Sequence, residues 1–397
     1  MRGSMLVRVS PPVQAAIRYD RAVGESDASD PGHVVRLGID LSAPDAADTL
    51  RLVRYLDEQG ARGEDLEEAV RTGTLGSLAL ELALRSPGDP VAFPEAAARA
   101  GLEIAEAAAL WRALGLPDPR HSSIALTPAQ VETLQVLAET GRSLLGTDTT
   151  LQLARVLGGS IALLAEALVD AFRVKVEMPR RFAGEPYSEV VEDYARTASV
   201  MFPALAQVVA DVLRTHVLAV SRSAWALDAE RATVTRELTV GFADLVGYTR
   251  SARALSPAEL AAAIGRFESH VGDVVSSVGG RLVKLIGDEA MFVVDDPAEG
   301  SELALELVRM LRGDRQLPPV RIGLAAGPVV AYHGDYYGDI VNLAARLVKV
   351  AEPGEVLVSQ SVTDKPSNGI DYEPIELPPL KGYDQGIAAF RLSESGL

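Results

Sequence analysis

The sequence predicts two architectures in one chain: an all-α N-terminal domain, then an α/β (α+β) domain with strands and helices in the order β-α-β-β-α-β. Three observations carry this expectation. Between Ala46 and Leu227 a sequence rich in Ala, Leu, Glu and Arg repeats its apolar residues three and four apart, which is the helical period. After Arg231 the texture changes to short apolar runs alternating with helical stretches. Two of those runs, ending in Val240-Gly-Phe-Ala-Asp244 and Lys284-Leu-Ile-Gly-Asp288, each finish on a lone aspartate.

Taken in order, the segment 1–40 mixes Pro, Gly, Asp and Ser without a sustained period and is expected to be loosely ordered, with Met1-Arg-Gly-Ser4 read as an expression leader. The helical domain is placed at 41–227. Asp45 or Asp48 is expected to cap its first helix, and Pro87-Gly-Asp-Pro90 and Pro117-Asp-Pro119 mark turns. Thr127 has N-cap character, and two long helices are expected at 149–172 and 188–224. A helix-turn-helix rhythm spans 93–117, but its second helix would carry Glu103, Glu106 and a single Arg112, which DNA phosphate would repel. A linker at 228–236 leads to the second domain, 237–397. There the strands are expected at 238–243, 281–286, 290–294, 320–325 and 356–359, and the helices at 257–278, 298–311 and 340–351. Gly287-Asp288 forms the turn between the second and third strands. That order is the ferredoxin-like arrangement, with helices expected on one face of an antiparallel sheet.

Composition narrows the function. The 397 residues are 48% hydrophobic, which describes a globular chain with sizeable cores. A net charge of −17 argues against a nucleic-acid partner, though not against a nucleotide, whose site needs only a local cluster of cations. With no cysteine there is neither a disulfide framework nor a thiolate metal site. Arg155, Glu166 and Asp170 interrupt one apolar helix, and Arg196 and Asp211 the other, so no membrane span is expected. Without a secretory signal, the expected localisation is cytoplasmic.

The chemistry-bearing residues lie in the second domain. A carboxylate at the tip of a buried strand is costly to desolvate unless something pairs with it. Asp244 and Asp288, on neighbouring strands, can share a divalent cation, while a lone aspartate in either place could equally be a turn former. Backbone amides in the Gly247-Tyr248-Thr249 turn could receive phosphate oxygens. Asp339 is a candidate N-cap, which places Asn342 in the first turn of a helix and Arg346 one turn along the same face. Such a pair is either a solvated stripe or a means of stabilising developing charge.

Four segments occur together in order: Phe242-Ala-Asp-Leu-Val-Gly-Tyr-Thr249, Val283-Lys-Leu-Ile-Gly-Asp288, Asp335 with Val341-Asn-Leu-Ala-Ala-Arg346, and Leu380-Lys-Gly382. In this, the region 237–392 resembles the catalytic domain of class III nucleotidyl cyclases, specifically the bacterial homodimeric adenylate cyclases. The 41–227 half resembles the helical regulatory domain found on some actinobacterial members. The resemblance implies conversion of ATP to 3′,5′-cyclic AMP and pyrophosphate, with two Mg²⁺ or Mn²⁺ ions on Asp244 and Asp288. It also implies that Lys284 and Asp335 select the purine, and that Asn342 and Arg346 serve the transition state. Arg321, Lys381 and the turn Gly247-Tyr248-Thr249 would contact the triphosphate. Adenine offers an acceptor at N1 and a donor at N6, which a lysine and an ionised aspartate complement; guanine reverses both edges. The resemblance further implies that each site is split across a homodimer and that the helical half regulates it. A related diguanylate-cyclase hairpin matches Ile286-Gly-Asp-Glu289 only faintly, and a non-catalytic nucleotide sensor is disfavoured by the intact pair of aspartates.

Overall fold

In the computed structural model, residues 37–119, 125–225, 235–248, 255–332, 334–383 and 386–395 are described. They form two compact units. One comprises residues up to Ala108 with Pro117–Ala138 and Ser160–Ala219; the other comprises Ala109–Leu116, Glu139–Gly159 and Val220–Leu397.

The helical part of the chain runs through α1 (Ala46–Glu58), α2 (Gly63–Thr72), α3 (Leu75–Leu84), α4 (Phe93–Arg99), α5 (Ile104–Ala113) and α6 (Pro128–Thr140). After a π-helical turn come α7 (Thr147–Phe172), α8 (Met178–Phe182) and α9 (Tyr187–Trp225). A short ladder pairs β1 (Val91–Ala92) with β2 (Ala125–Leu126). Leu52, Leu56, Leu66, Leu78, Val191 and Ala195 form one core, so the start of α9 closes over α1 to α3. Asp45 occupies the α1 N-cap without a side-chain bond, while Asp48 instead accepts from the amide and hydroxyl of Ser188 at the start of α9. Thr127 caps α6 as expected, with Gln130 returning the bond: Gln130 N–H to Thr127 Oγ1 is 3.4 Å and Thr127 N–H to Gln130 Oε1 is 2.9 Å.

The two long helices depart from expectation in one respect. The continuous helical stretches Thr147–Phe182 and Tyr187–Ser221 each contain an 18-residue window with at most two charged residues. Both are therefore long and apolar enough to cross a membrane by length and composition, so the absence of spans expected from the sequence is not confirmed. The interrupting charges proved too widely spaced to exclude it. Neither is an ordinary core helix, since 11% of the first window and none of the second is buried. Leu157, Leu164, Val212, Leu213 and Val217 are among the apolar side chains they expose.

The second part contains an eight-stranded sheet in the order β4-β5-β3-β6-β8-β10-β9, with β7 paired to β6. Its strands are β3 (Thr235–Leu245), β4 (Arg281–Ile286), β5 (Glu289–Val294), β6 (Val320–Tyr332), β7 (Asp335–Tyr337), β8 (Val356–Ser359), β9 (Ile370–Ile375) and β10 (Ala389–Glu394). Its helices are α10 (Pro257–Ser277), α11 (Pro297–Gly313), α12 (Asp339–Val350) and the short α13 (Gln360–Thr363). The first and third strands of the β-α-β-β-α-β unit, β3 and β5, are antiparallel neighbours, as that order requires. β6 pairs with β8 in parallel, so the sheet is mixed.

Helices cover both faces, not one. Ala243, Leu245, Ile322 and Leu324 pack with Phe267, Val271, Leu303 and Leu307 of α10 and α11. The alternate residues Leu238, Val240, Phe242 and Ala325 pack with Ala344 and Val348 of α12. Strands covered on both sides lose the polar alternation of a one-sided sheet, which explains why β3 is buried continuously from Leu238 to Leu245. Gly323 lets α12 lie close against β6, because a Cβ there would collide with the Val348 amide and the Ala344 carbonyl. Gly323→Ala is accordingly expected to destabilise the protein by about 1–3 kcal/mol through overpacking, read as a lowered thermal midpoint. An unchanged midpoint would contradict this packing of α12.

Candidate active site

Asp244 lies one residue before the end of β3 and is only 6% exposed. Its cross-strand neighbours are Arg321 on β6 and Glu289 on β5. Arg321 donates twice to the single oxygen Asp244 Oδ2, from Nε at 2.8 Å and Nη2 at 2.6 Å, two charge-assisted bonds that leave Oδ1 to other partners. Its third nitrogen, Nη1, donates to the carbonyls of Lys349 (3.0 Å) and Ala351 (3.4 Å) at the C-terminus of α12. Arg321 thus ties the strand carboxylate to a helix end whose last carbonyls need donors. Lys349 Nζ is 3.6 Å from Asp244 Oδ1 and donates at 2.9 Å to Glu289 Oε2.

Asp288 sits in the two-residue turn between Ile286 and Glu289, with Gly287 at φ +68° supplying the left-handed step. The Asp288 carbonyl accepts from the Leu245 amide at 3.1 Å, which holds this turn beside the end of β3 and brings the two aspartates to neighbouring positions. Gly247 has φ +73° in the turn that follows β3. Tyr248 is buried; burial first, and the charge of Asp288 second, raise its phenol pKa. Thr249 lies outside the described residues.

The second cluster joins β4 to β7. Lys284 forms an ion pair with Asp335 Oδ2, and the Tyr336 amide donates to Asp335 Oδ1 at 2.8 Å. Arg281 stacks 4.9 Å over the Tyr336 ring and donates to the Gly334 carbonyl at 3.1 Å, fastening the β6–β7 hairpin to the β4 edge. Burial pushes the Asp335 carboxyl up, but the hydrogen bonds from Lys284 and Tyr336 outweigh it and leave its pKa below the usual carboxylate range.

The third group lies on α12. Its N-cap is Gly338, not Asp339, which falls inside the first turn. Gly338 has φ +130°, a backbone conformation that disfavours an Asp at the cap. Asn342 and Arg346 still follow one turn apart, both exposed, and neither side chain has a hydrogen-bond partner among the described residues. Tyr383 donates to the Asp339 carbonyl at 3.1 Å, which docks the turn carrying exposed Lys381 at the start of α12.

Residues 231–392 match the family described as the adenylate and guanylate cyclase catalytic domain. An uncharacterized protein of Mycobacterium tuberculosis is 34% identical over 349 residues, covering 87% of this chain and 90% of that one. The adenylate cyclase of Streptomyces coelicolor is 35% identical over 274 residues, covering 68% of this chain and 70% of its own. The chain belongs to the adenylate and guanylate cyclase family. Among solved structures, the adenylyl cyclase CyaB from P. aeruginosa aligns over 41% of this chain and 95% of its own, at 21% identity and a TM-score of 0.37.

Within this cyclase, the residues singled out in the sequence fall into three places: Asp244 with Asp288 and Arg321, Lys284 with Asp335, and Asn342 with Arg346 and Lys381. Arg321 is committed to Asp244 and the α12 terminus. Sequence reasoning missed Glu289 and Lys349, which complete the charge cluster around Asp244. The signals were present: Glu289 directly follows Asp288, and Lys349 falls one turn beyond Arg346. Neither stood out, because only the strand register and the helix position bring them together.

The lowered Asp335 pKa has a definite consequence. A carboxylate depressed in the folded state contributes stability that is fully present above its unfolded pKa, and that contribution disappears as pH falls through the folded value. Asp335→Asn is therefore expected to lower the thermal midpoint at neutral pH. The difference from wild type should shrink below about pH 4, the ordinary aspartate range. A difference that grows on acidification would show that the ion pair with Lys284 does not operate.

Proposed function

We propose that this cyclase converts ATP to 3′,5′-cyclic AMP and pyrophosphate, at sites shared between two copies of the chain. The observation that carries the reading is the Lys284–Asp335 pair: a lysine that can only donate beside a carboxylate that stays ionised and can only accept. Exchanging their mutual contact for an adenine edge satisfies both groups, whereas guanine would set donor against donor and acceptor against acceptor. Mismatching a polar edge in a site built for hydrogen bonding costs orders of magnitude in selectivity.

A divalent metal suits the first cluster. Asp244 and Asp288 supply hard carboxylate oxygens, and among the described residues Asp244 Oδ1 is engaged only by the 3.6 Å Lys349 contact. Cations already gather at this point, and Glu289 Oε1 is buried without a hydrogen-bond partner. No group of three or more metal-ligating side chains occurs among the described residues, which suits Mg²⁺ or Mn²⁺ ions completed by substrate phosphates. Two such ions, held by Asp244 and Asp288, would acidify the ribose 3′-hydroxyl and neutralise the triphosphate. Arg346 would stabilise charge on the transferring phosphate, and Asn342 would hold the ribose for in-line attack by its 3′-oxygen on the α-phosphorus. Lys381 and the amides of the Gly247-Tyr248-Thr249 turn would receive phosphate oxygens. Both α12 side chains are exposed and have no hydrogen-bond partner among the described residues, which supports a ligand that they meet from outside.

A homodimer is supported by the apolar side chains that the two long helices expose, a surface that a second copy would cover. The same helices favour a second reading, in which they lie in a membrane. In either case the helical part is proposed to regulate turnover by shifting one catalytic domain against the other. A split site is sensitive to displacements of about 1 Å. A dimer by sedimentation in detergent-free buffer supports the first arrangement, and partition into lipid vesicles the second.

The deciding experiment supplies purified protein with ATP or GTP and Mn²⁺ and identifies the cyclic product. Cyclic AMP from ATP, abolished by Asp244→Ala or Asp288→Ala with the fold retained, is expected; a preference for GTP would overturn the assignment. Co-expressed Asp288→Ala and Arg346→Ala chains should together regain roughly a quarter of wild-type activity, since half of randomly paired dimers carry one intact site of two. Verified heterodimers that stay inactive would place each site within a single chain.

A further inference from the structure

The two oxygens of Asp244 are held very differently. Oδ2 takes both charge-assisted bonds from Arg321, whose remaining nitrogen is committed to the α12 carbonyls. Among the described residues Oδ1 has only Lys349, at 3.6 Å, and that ammonium lies closer to Glu289 Oε2, at 2.9 Å. Glu289 is 13% exposed at its side chain, and its other oxygen is buried with no hydrogen-bond partner, so this carboxylate is short of positive charge. Lys349 is half exposed and reaches the cluster on a flexible stem.

We propose that Lys349 competes with the divalent metal for Asp244, and that Glu289 acts as the acceptor that draws it aside, so that this pair sets the metal affinity of the site. The inference rests on reading Asp244 as a metal carboxylate. A metal ion on Oδ1 and an ammonium 3.6 Å from the same atom repel each other, so one must yield. Arg321 cannot, because leaving would strip Oδ2 and uncap α12 together. Lys349 can, by a small swing toward a carboxylate it already touches, without being left unpaired. Glu289 is thus a positioning residue, acting on the metal only through Lys349.

Full-length protein titrated with Mn²⁺ alone, with free Mn²⁺ followed by electron paramagnetic resonance, separates the possibilities. Lys349→Met removes the competitor and should tighten binding about fivefold, the scale of a partly exposed ion pair. Glu289→Gln leaves Lys349 no alternative to Asp244 and should weaken binding by about the same factor. The double variant should stay within about twofold of Lys349→Met, because Glu289 has then nothing to act through. It also removes both charges together, and so keeps the comparison with wild type should Lys349→Met alone fail to fold. Single variants that shift affinity in the same direction or not at all overturn the proposal. So does a Glu289→Gln loss that persists in the Lys349→Met background, which would make Glu289 itself a ligand. Absence of Mn²⁺ binding in wild type and Lys349→Met alike, up to millimolar metal, overturns it too. Asp244→Asn distinguishes the levels: if it still binds Mn²⁺ like wild type, the metal reading fails as well; if it abolishes binding while the other variants leave affinity unmoved, only the Lys349–Glu289 inference fails.

Discussion

The catalytic part of this chain depends on burying one charge, the carboxylate of Asp244, near the end of a strand covered on both faces. A carboxylate in that position is tolerable only if its partners are present and well aligned. The β3–β6 register delivers Arg321 opposite it and the β3–β5 register delivers Glu289, so two ladders must form correctly before the charge is satisfied. A one-residue slip in either would turn the partner to the other face of the sheet. The same guanidinium closes the C-terminus of α12, and so the strand, the helix and the charge are fixed by one side chain.

That coupling carries the remaining site residues with it. α12 presents Asn342, Arg346 and Lys349 at spacings of four and three, which places them along one face. Its C-terminus is held to Asp244 through Arg321, and its N-terminus to the Lys381 turn through Tyr383. Gly323 sets how closely it approaches the sheet. A rigid-body shift of α12 would therefore move the proposed transition-state pair, the phosphate-contacting turn and the cations around Asp244 together.

Much of this was legible in the sequence, for identifiable reasons. The strands β3, β4, β5 and β8 announced themselves as short apolar runs between turn residues, and Gly287-Asp288 marked its hairpin because a two-residue turn there needs a left-handed step. The strands β9 and β10 were missed: Asp371, Glu373, Pro374, Arg391 and Ser393 break up their apolar content, as edge-proximal strands with a wet face allow. The expectation of a one-sided sheet failed because it rested on element order alone, while continuous burial along β3 already implied cover on both sides. Asp339 looked like an N-cap by residue type, yet the cap fell on Gly338, whose backbone conformation only glycine adopts readily. Glu289 and Lys349 were invisible for a different reason: their roles come from register and helix phase, which no short motif encodes.

The helical part poses the opposite problem. One of its cores is built from α1 to α3 and the start of α9, whereas much of the long helices is exposed. Side chains such as Leu157, Leu164, Val212 and Val217 are partly exposed, and fully burying a large aliphatic side chain is worth about 1.5–3 kcal/mol. Covering a few of them is comparable with the net stability of a typical domain. Such faces suit a partner surface, whether protein or lipid. α9 ends at Trp225, ten residues before β3 begins at Thr235. A partner surface on these helices would thus lie within a short length of chain from the first catalytic strand, which is what the proposed regulation requires.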